Sequence, residues 1–509
     1  MKYMAAACIM AAAVLTGGCA AQPGSSVSGS RHMAMEVSHI GDTLDPVQGG
    51  SGALLTRLGI GETLVRRDSE MDLTGGLADS WTHTGPDEWT FHIREGVKFQ
   101  NGDALTGERV KDSLDRAVKD NAQDRALSGI HSVSADGQNV IIQTDKPSGS
   151  LPAVLADPAF VVLDVKGKEG NLASAPIGTG PYAVTHFVKD QEVSLKGDGQ
   201  YSGGQPGLDE LTVKAVADNA QRIQDLKDGH ADAVLDVDPA GWNDLKNNHS
   251  YQLYSESTRE ANFLQLNLKG VLQNDFLRRA VSQAIQYDQL AEQAGSGSEP
   301  AGELLAPLFK KEAEPQNRET ANLTEAAGSL ADAGYVKNDG GRAVNGKGQA
   351  AVLKLGTSPA TEAMDKQIQD QLKQIGIQVE LVTVPEGQKE ASLDGLDMIH
   401  GGIPAQSSLS RLSREPSLLM ESLFRTGAPA NRGGYSSPAV DHLLDELQGE
   451  EDHARRLDLM NQIQNQVLQD VPDIFLIFPA RTAAVSEKVK NFILPPDGDY
   501  LITKDITVQ

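Results

Sequence analysis

The stretch Ala175-Pro176-Ile177-Gly178-Thr179-Gly180-Pro181-Tyr182 decides how the chain is read. The two prolines restrict φ, and the two glycines permit backbone placements that side chains forbid. Beyond it, apolar residues recur at Tyr182, Val184, Phe187, Val188, Val193 and Leu195. That pattern predicts a rigid turn delivering the chain into a sheet. The residues before the turn read as one excursion, and those after it as a return plus a second lobe.

Upstream, Met35–His39 starts a strand, and Asp42-Thr43-Leu44-Asp45-Pro46 leads to a short helix over Ser51–Leu58 with Leu54, Leu55 and Leu58 on one face. Gly61-Glu62-Thr63-Leu64-Val65 and Gly76-Leu77-Ala78-Asp79-Ser80-Trp81 come next. Trp89–Phe99 alternates, and Asn101-Gly102 supplies a tight turn. Thr106 caps a helix whose apolar face is Val110, Leu114 and Val118, with Asp112 and Arg116 at pairing distance along it. Val133–Thr144 reads as a hairpin around Asp136-Gly137, and Leu151–Leu163 is apolar but broken by Pro152 and Pro158.

Downstream come Gly204-Gln205-Pro206-Gly207-Leu208-Asp209 and Gly229-His230-Ala231-Asp232-Ala233. Phe263–Asn267 is the strand with which the chain crosses into the second lobe, and the helix after Asp275 buries Leu277, Ala280, Val281, Ala284 and Ile285. A βαβ unit comes after it: strand Val352–Leu355, a helix facing inward with Met364, Ile368 and Leu372, a stop at Gly376, then a strand through Ile377, Val379 and Leu381. A helix over Ala454–Leu468 and a buried strand at Ile474–Phe478 precede a tail, Ala484–Gln509, that returns to the first lobe.

At 509 residues the chain holds more than one core. Its 70 acidic and 45 basic residues, net −25, argue against nucleic acid, which requires basic patches to displace counterions. The acidity itself reads first as a solvated surface and is compatible with a cationic ligand. Both cysteines, Cys8 and Cys19, lie near the N-terminus, so no disulfide framework or thiolate metal site serves the rest. Lys2 and the apolar run Met4–Leu15, too short for a comfortable span, read as a signal peptide. Leu15-Thr16-Gly17-Gly18-Cys19 resembles a bacterial lipobox, with Thr16 where leucine is usual, which implies lipidation of Cys19; the alternative is ordinary signal cleavage near Ala20 or Ala21. Residues 19–33 then form a flexible Gly/Ser tether, and the protein is exported.

No Gly-x-Ser-x-Gly elbow, Gly-Lys-Ser/Thr phosphate loop or His-Glu-x-x-His occurs, so no enzyme is read here. Instead the motifs quoted above, in their order, resemble those of the peptide and nickel family of extracytoplasmic solute-binding proteins, which serve ABC importers. The likeness runs from about Glu36 to the C-terminus. It implies an α/β fold of the periplasmic-binding-protein type II: a first lobe over 34–268 with a subdomain over about 63–175, a second lobe over 269–483, and a return over 484–509. It also implies a monomer tethered outside the membrane, working with a permease and an ATPase and binding a small peptide or a metal chelate, with no cofactor beyond such a ligand. A ligand-sensing receptor role is the alternative, and an exported hydrolase a more distant one.

The resemblance places ligand groups at four loops. The first gives Leu54, a contact residue or plain core. The second gives Arg125, a carboxylate partner or a surface arginine. In the third, nickel-type relatives carry Pro-Arg-Pro, whereas this chain has Ala156-Asp157-Pro158; Asp157 reverses the sign and favours a cationic group. The fourth ends a strand at His400, either a metal ligand and hydrogen-bonding group or a structural histidine, and lacks the Gly-Trp and nearby Asp of peptide binders. Arg259, Arg411 and Arg414 are further anion candidates.

Overall fold

The computed structural model describes residues 31–48, 51–68, 72–166, 171–258, 260–305, 320–385, 393–401 and 415–509. Cys19, Arg259, Arg411 and Arg414 fall outside them. Among the described residues, no helix is long and apolar enough to cross a membrane.

The first lobe is built on a seven-stranded sheet ordered Tyr251–Ser257, Ala480–Ser486, Ala233–Leu235, His32–Val37, Glu210–Ala215, Glu192–Gly197, Tyr182–Val188. His32–Val37 runs parallel to both Glu210–Ala215 and Ala233–Leu235, and the remaining pairs are antiparallel. Met33 and Met35 alternate into one face, which packs against Leu54 and Leu55 of the helix Gly52–Arg57 and its C-cap Leu58. The opposite face carries Val234 and Ala484 under the helices Asn219–Asp228 and Pro239–Leu245.

A four-stranded antiparallel sheet, Ala78–Gly85, Glu88–Ile93, Asn139–Thr144 and Ile130–Asp136, forms the subdomain with the helix Gly107–Asp120. Phe91, Ile93, Val140 and Ile142 meet Val110 and Leu114 in its core. The expected Asp112–Arg116 pair is not made. Arg116 instead reaches across 71 positions to grip both oxygens of Asp45, at 2.8 and 2.7 Å, and Asp112 takes Lys166 at 2.6 Å. A bidentate guanidinium–carboxylate grip on buried Asp45 wins over a single contact to the next turn of the helix, where Asp112 is already held by Lys166.

The second lobe is a six-stranded sheet ordered Glu299–Pro300, Asp473–Phe478, Asn262–Leu266, Met398–Gly401, Val352–Thr357, Gln378–Thr383. The predicted βαβ unit forms, with Val352 paired to Gln378 in parallel across the helix Glu362–Gln374. One face packs on the helices Asp275–Ala284 and Tyr287–Ala294, the other on Pro416–Phe424, Pro438–Gly449 and His453–Asp470.

Sheet membership shows where the chain passes from one sheet to the other. Asn262–Leu266 pairs with Met398–Gly401 and Asp473–Phe478, so the chain leaves the first sheet between Ser257 and Asn262. It returns at Ala480, which opens a strand paired with Tyr251–Ser257. The two crossings are tied together where Thr258 donates both its N–H (3.0 Å) and its hydroxyl (2.8 Å) to the Pro479 carbonyl.

The Gly178–Tyr182 turn lies directly on the backbone of Gly59–Gly61. A Cβ on Gly178 would sit 2.1 Å from the Ile60 carbonyl oxygen, and one on Gly180 2.2 Å from that of Gly59. Gln100 clamps the crossing. Its amide donates to the carbonyls of Ile60 (2.9 Å), Gly180 (3.1 Å) and Tyr182 (2.8 Å), and its carbonyl accepts from Gly178 N–H (3.0 Å). The C-terminal tail joins the same region. Thr63 meets the Tyr500 hydroxyl through N–H (3.1 Å) and Oγ1 (2.8 Å), and Arg66 lies 4.0 Å over the Tyr500 ring while pairing with Glu62. Burial alone would lower the Arg66 pKa; Tyr500, Glu62 and Tyr201 raise it above its ordinary value, so the arginine stays charged.

Gly178→Ala is therefore expected to destabilise the protein by about 1–3 kcal/mol, since backbone must move to admit the methyl. Gly328→Ala, in the helix Leu323–Asp332 with nothing near the added Cβ, is expected to be neutral or to stabilise by up to about 1 kcal/mol. Chemical denaturation of the two variants side by side checks the contrast.

Candidate ligand cleft

The hinge fixes which ends of the two sheets face each other. In the first sheet, Ser257 pairs with Ala480 and Leu235 with Ala483, so the carboxyl ends of the parallel strands lie on the hinge side. In the second, Asn262 pairs with Ile477 and Phe263 with Gly401, which places the carboxyl ends of Val352–Thr357 and Met398–Gly401 there too. Loops beyond the carboxyl ends of parallel strands are where open α/β sheets bind ligands.

On the first lobe, three of the expected loops converge. Asp45, fixed by Arg116, starts the turn that leads into Gly52–Arg57. Ser51 Oγ donates back to Thr43 O at 2.6 Å. Gly52 touches the next loop so closely that a Cβ would stand 2.2 Å from Pro158 O. Asp157 caps that loop by accepting from Ala159 N–H at 2.8 Å and is buried. Asn121, at the start of the helix Ala122–Ser128, donates to Val47 O at 3.5 Å.

The individual candidates fare differently. Leu54 is 8% exposed and sits within the first-lobe core. Arg125 is solvent-exposed, because Asp124 and Ser128 take the inward positions of its helix. The helix reaches the convergent loops while this side chain points to water.

On the second lobe, His400 is 1% exposed at the hinge end of its strand. Its Nδ1 lies 2.6 Å from Asp365 Oδ1, and the other Asp365 oxygen accepts from the Thr357 hydroxyl. Asp365 is fully buried on the stripe that also carries Ile368 and Leu372. A carboxylate on Nδ1 holds the proton there and leaves Nε2 with its lone pair. That Nε2 is buried with no hydrogen-bond partner among the described residues. A buried polar atom without a partner costs about 1–3 kcal/mol, which makes this nitrogen a candidate donor or acceptor for a bound group.

Asp365 and Thr357 were not among the candidates read from sequence. An acid at i with Ile at i+3 and Leu at i+7 on a core-facing stripe was the available signal. Among the described residues, no three His, Cys, Asp or Glu side chains come together to hold a metal ion. A separate cavity of about 190 Å³ lies beside the hinge, between Asp236–Trp242, Gly295–Ser298 and Ala480. It is smaller than the roughly 300–1,000 Å³ usual for ligand pockets and includes none of the candidate residues.

The comparisons with known proteins agree with this architecture. Residues 72–409 match the model of bacterial extracellular solute-binding proteins, family 5 Middle. The nickel-binding protein NikA of Staphylococcus aureus is 24% identical over 519 residues, covering all of both chains. The glutathione-binding protein GsiB of Pectobacterium atrosepticum is 28% identical over 455 residues, 84% of this chain and 85% of that one. A crystal structure described as a nickel ABC transporter from Bacillus halodurans superposes with a TM-score of 0.82 at 27% identity, covering 94% of this chain and all of the other. The family model spans well over half of the chain, and its type II periplasmic-binding-protein neighbours share the two-lobed frame: this chain belongs to the bacterial extracellular solute-binding proteins of family 5.

Proposed function

We propose that the cargo is a transition-metal chelate of the nickel class, with His400 Nε2 as the protein's own donor to the metal. The single observation that carries this reading is the buried Asp365–His400 pair with Nε2 unpartnered among the described residues. Imidazole suits nickel, and a carboxylate on the distal nitrogen raises its basicity. One protein donor is too few for a bare ion, so the metal arrives already chelated. The third loop carries Asp157 instead of an arginine, which disfavours an anionic complex. A nickel ion held by two monoanionic amino-acid chelators is neutral overall and needs no arginine clamp. The full-length likeness to a nickel-binding protein supports the same class.

As a family 5 protein the chain is the substrate-binding component of a peptide/nickel-type ABC importer. In our reading it is anchored through lipidated Cys19 on the extracytoplasmic face, closes its lobes over the cargo, and presents the closed form to a membrane permease powered by an ATPase. No covalent step is asked of it. A short peptide is the second reading, favoured by the likeness to a glutathione-binding protein; there His400 Nε2 accepts a hydrogen bond from a peptide N–H.

Native mass spectrometry with elemental analysis of the full chain, purified gently from its host, separates the two. The metal reading expects a bound mass containing nickel, lost in His400→Ala. A ladder of short-peptide masses without metal contradicts it. Asp365→Asn keeps the shape but alters the imidazole's partner, and is expected to weaken nickel-chelate binding by about 10–100-fold, as measured by calorimetry.

A further inference from the structure

The two lobes touch at a second place, far along the chain from the hinge. The end of the second-lobe helix Pro438–Gly449 and the turn 450–452 lead into the helix His453–Asp470. They lie against the edge of the first-lobe subdomain. His83 Nδ1 meets Glu451 Oε1 at 2.5 Å while its ring packs 4.7 Å from Trp89. Trp89 is held by its indole N–H, which donates to Ser148 O at 3.0 Å. The next residue, Gly149, donates from N–H to Gln448 O at 3.5 Å. Arg456 shapes the turn from inside by donating to Leu447 O (3.2 Å) and Glu450 O (3.0 Å). It also grips Glu415 at 2.9 Å, and Glu415 reaches Arg67 of the first lobe at 3.5 Å. Leu418 of the helix Pro416–Phe424 packs onto the subdomain core.

Gly149 gives this contact its meaning. A Cβ there would stand 2.3 Å from the Glu450 carbonyl oxygen and 3.1 Å from its carbon, both belonging to the other lobe. The three nearest heavy atoms all come from the second lobe, and no positive φ demands glycine at this position. Glycine is needed only when the lobes are together. A residue fixed by the subdomain's own fold would show a clash within the subdomain.

We propose that this contact is a latch, remote from the cargo, that sets the open–closed equilibrium of the lobes. Gly149 is its seat, and His83, Arg67, Glu415 and Arg456 are its positioning residues. Closing brings a buried arginine to a buried glutamate already paired with a second arginine. Separating the lobes undoes the Arg67–Glu415 and His83–Glu451 contacts and returns those groups to water. The apparent affinity for any cargo that binds the closed form then scales with the closed fraction that the latch supports. The latch stands on contacts between lobes alone, so it holds whether the cargo is a metal chelate or a peptide.

The test needs no cargo. The only cysteines are Cys8 and Cys19, so the full chain with both replaced by serine accepts spin labels at two new cysteines. His131→Cys in the subdomain and His442→Cys on the second lobe suit, since both side chains are well exposed. Pulsed dipolar spectroscopy then reads the distribution of lobe separations. The latch predicts a resolved narrow-separation population in the otherwise unaltered protein. Gly149→Val should lower the closed-to-open ratio about tenfold or more, because the clash is with backbone. Glu451→Ala should lower it by about two- to fivefold, the scale of one partly exposed polar contact. Melting temperatures of the variants should stay near that of the parent, which separates a closure effect from misfolding. Identical separation distributions for the parent and both variants, whether narrow or wide, overturn the latch.

Discussion

The fold depends on one crossing of two backbone segments. Gly178 and Gly180 lie against the carbonyls of Ile60 and Gly59 with no room for a methyl between them. Carbonyls and amides at such a crossing are removed from water and must be satisfied within the protein. The Gln100 side chain does most of this, with one amide group serving four backbone groups on the two crossing segments. The crossing joins the first helix, the subdomain and the first-lobe sheet. Close by, the loop that precedes Val161 lies against the start of the helix Gly52–Arg57, where three candidate loops meet.

The second lobe supplies a different kind of constraint. Its sheet is covered on both faces, and its hinge-side end carries Thr357 and His400, joined by Asp365 from the helix Glu362–Gln374. Asp365 is satisfied on both oxygens by its two neighbours, while His400 keeps one nitrogen without a partner among the described residues. A hydrocarbon core would have been the less costly solution at that point. The polar trio is intelligible as a prepared donor whose partner is a solute that arrives from outside.

Much of the frame was legible because local chemistry dictates it. Glycine and proline announced the Ala175–Tyr182 turn, and a 3.6 period between two alternating strands announced the βαβ unit over 352–383. Phe263–Asn267 was read as the crossing strand, but Phe263–Leu266 is buried on both faces and shows no alternation, so nothing in the run itself says which sheet it joins. Arg116 was assigned to Asp112 by spacing, whereas its partner Asp45 lies 71 residues away and is chosen by the tertiary fold. Arg125 illustrates a finer limit: the resemblance placed it in a ligand loop, but it lies on the helix Ala122–Ser128, whose rotation, set by buried Asp124 and Ser128, turns the guanidinium to solvent. His400 was named from its strand end, while Asp365, which gives it its chemistry, hid as a polar residue on an apolar stripe.

In the proposed function, His400 offers its Nε2 to a chelated metal. X-ray absorption at the nickel edge tests it most directly, using the full chain loaded with nickel–iminodiacetate. That complex is neutral, contains no imidazole and leaves coordination positions open. The outer-shell scattering pattern of one imidazole on nickel is expected in the unaltered protein and is expected to be absent in His400→Ala. Nickel held without an imidazole, or no nickel held at all, would contradict it.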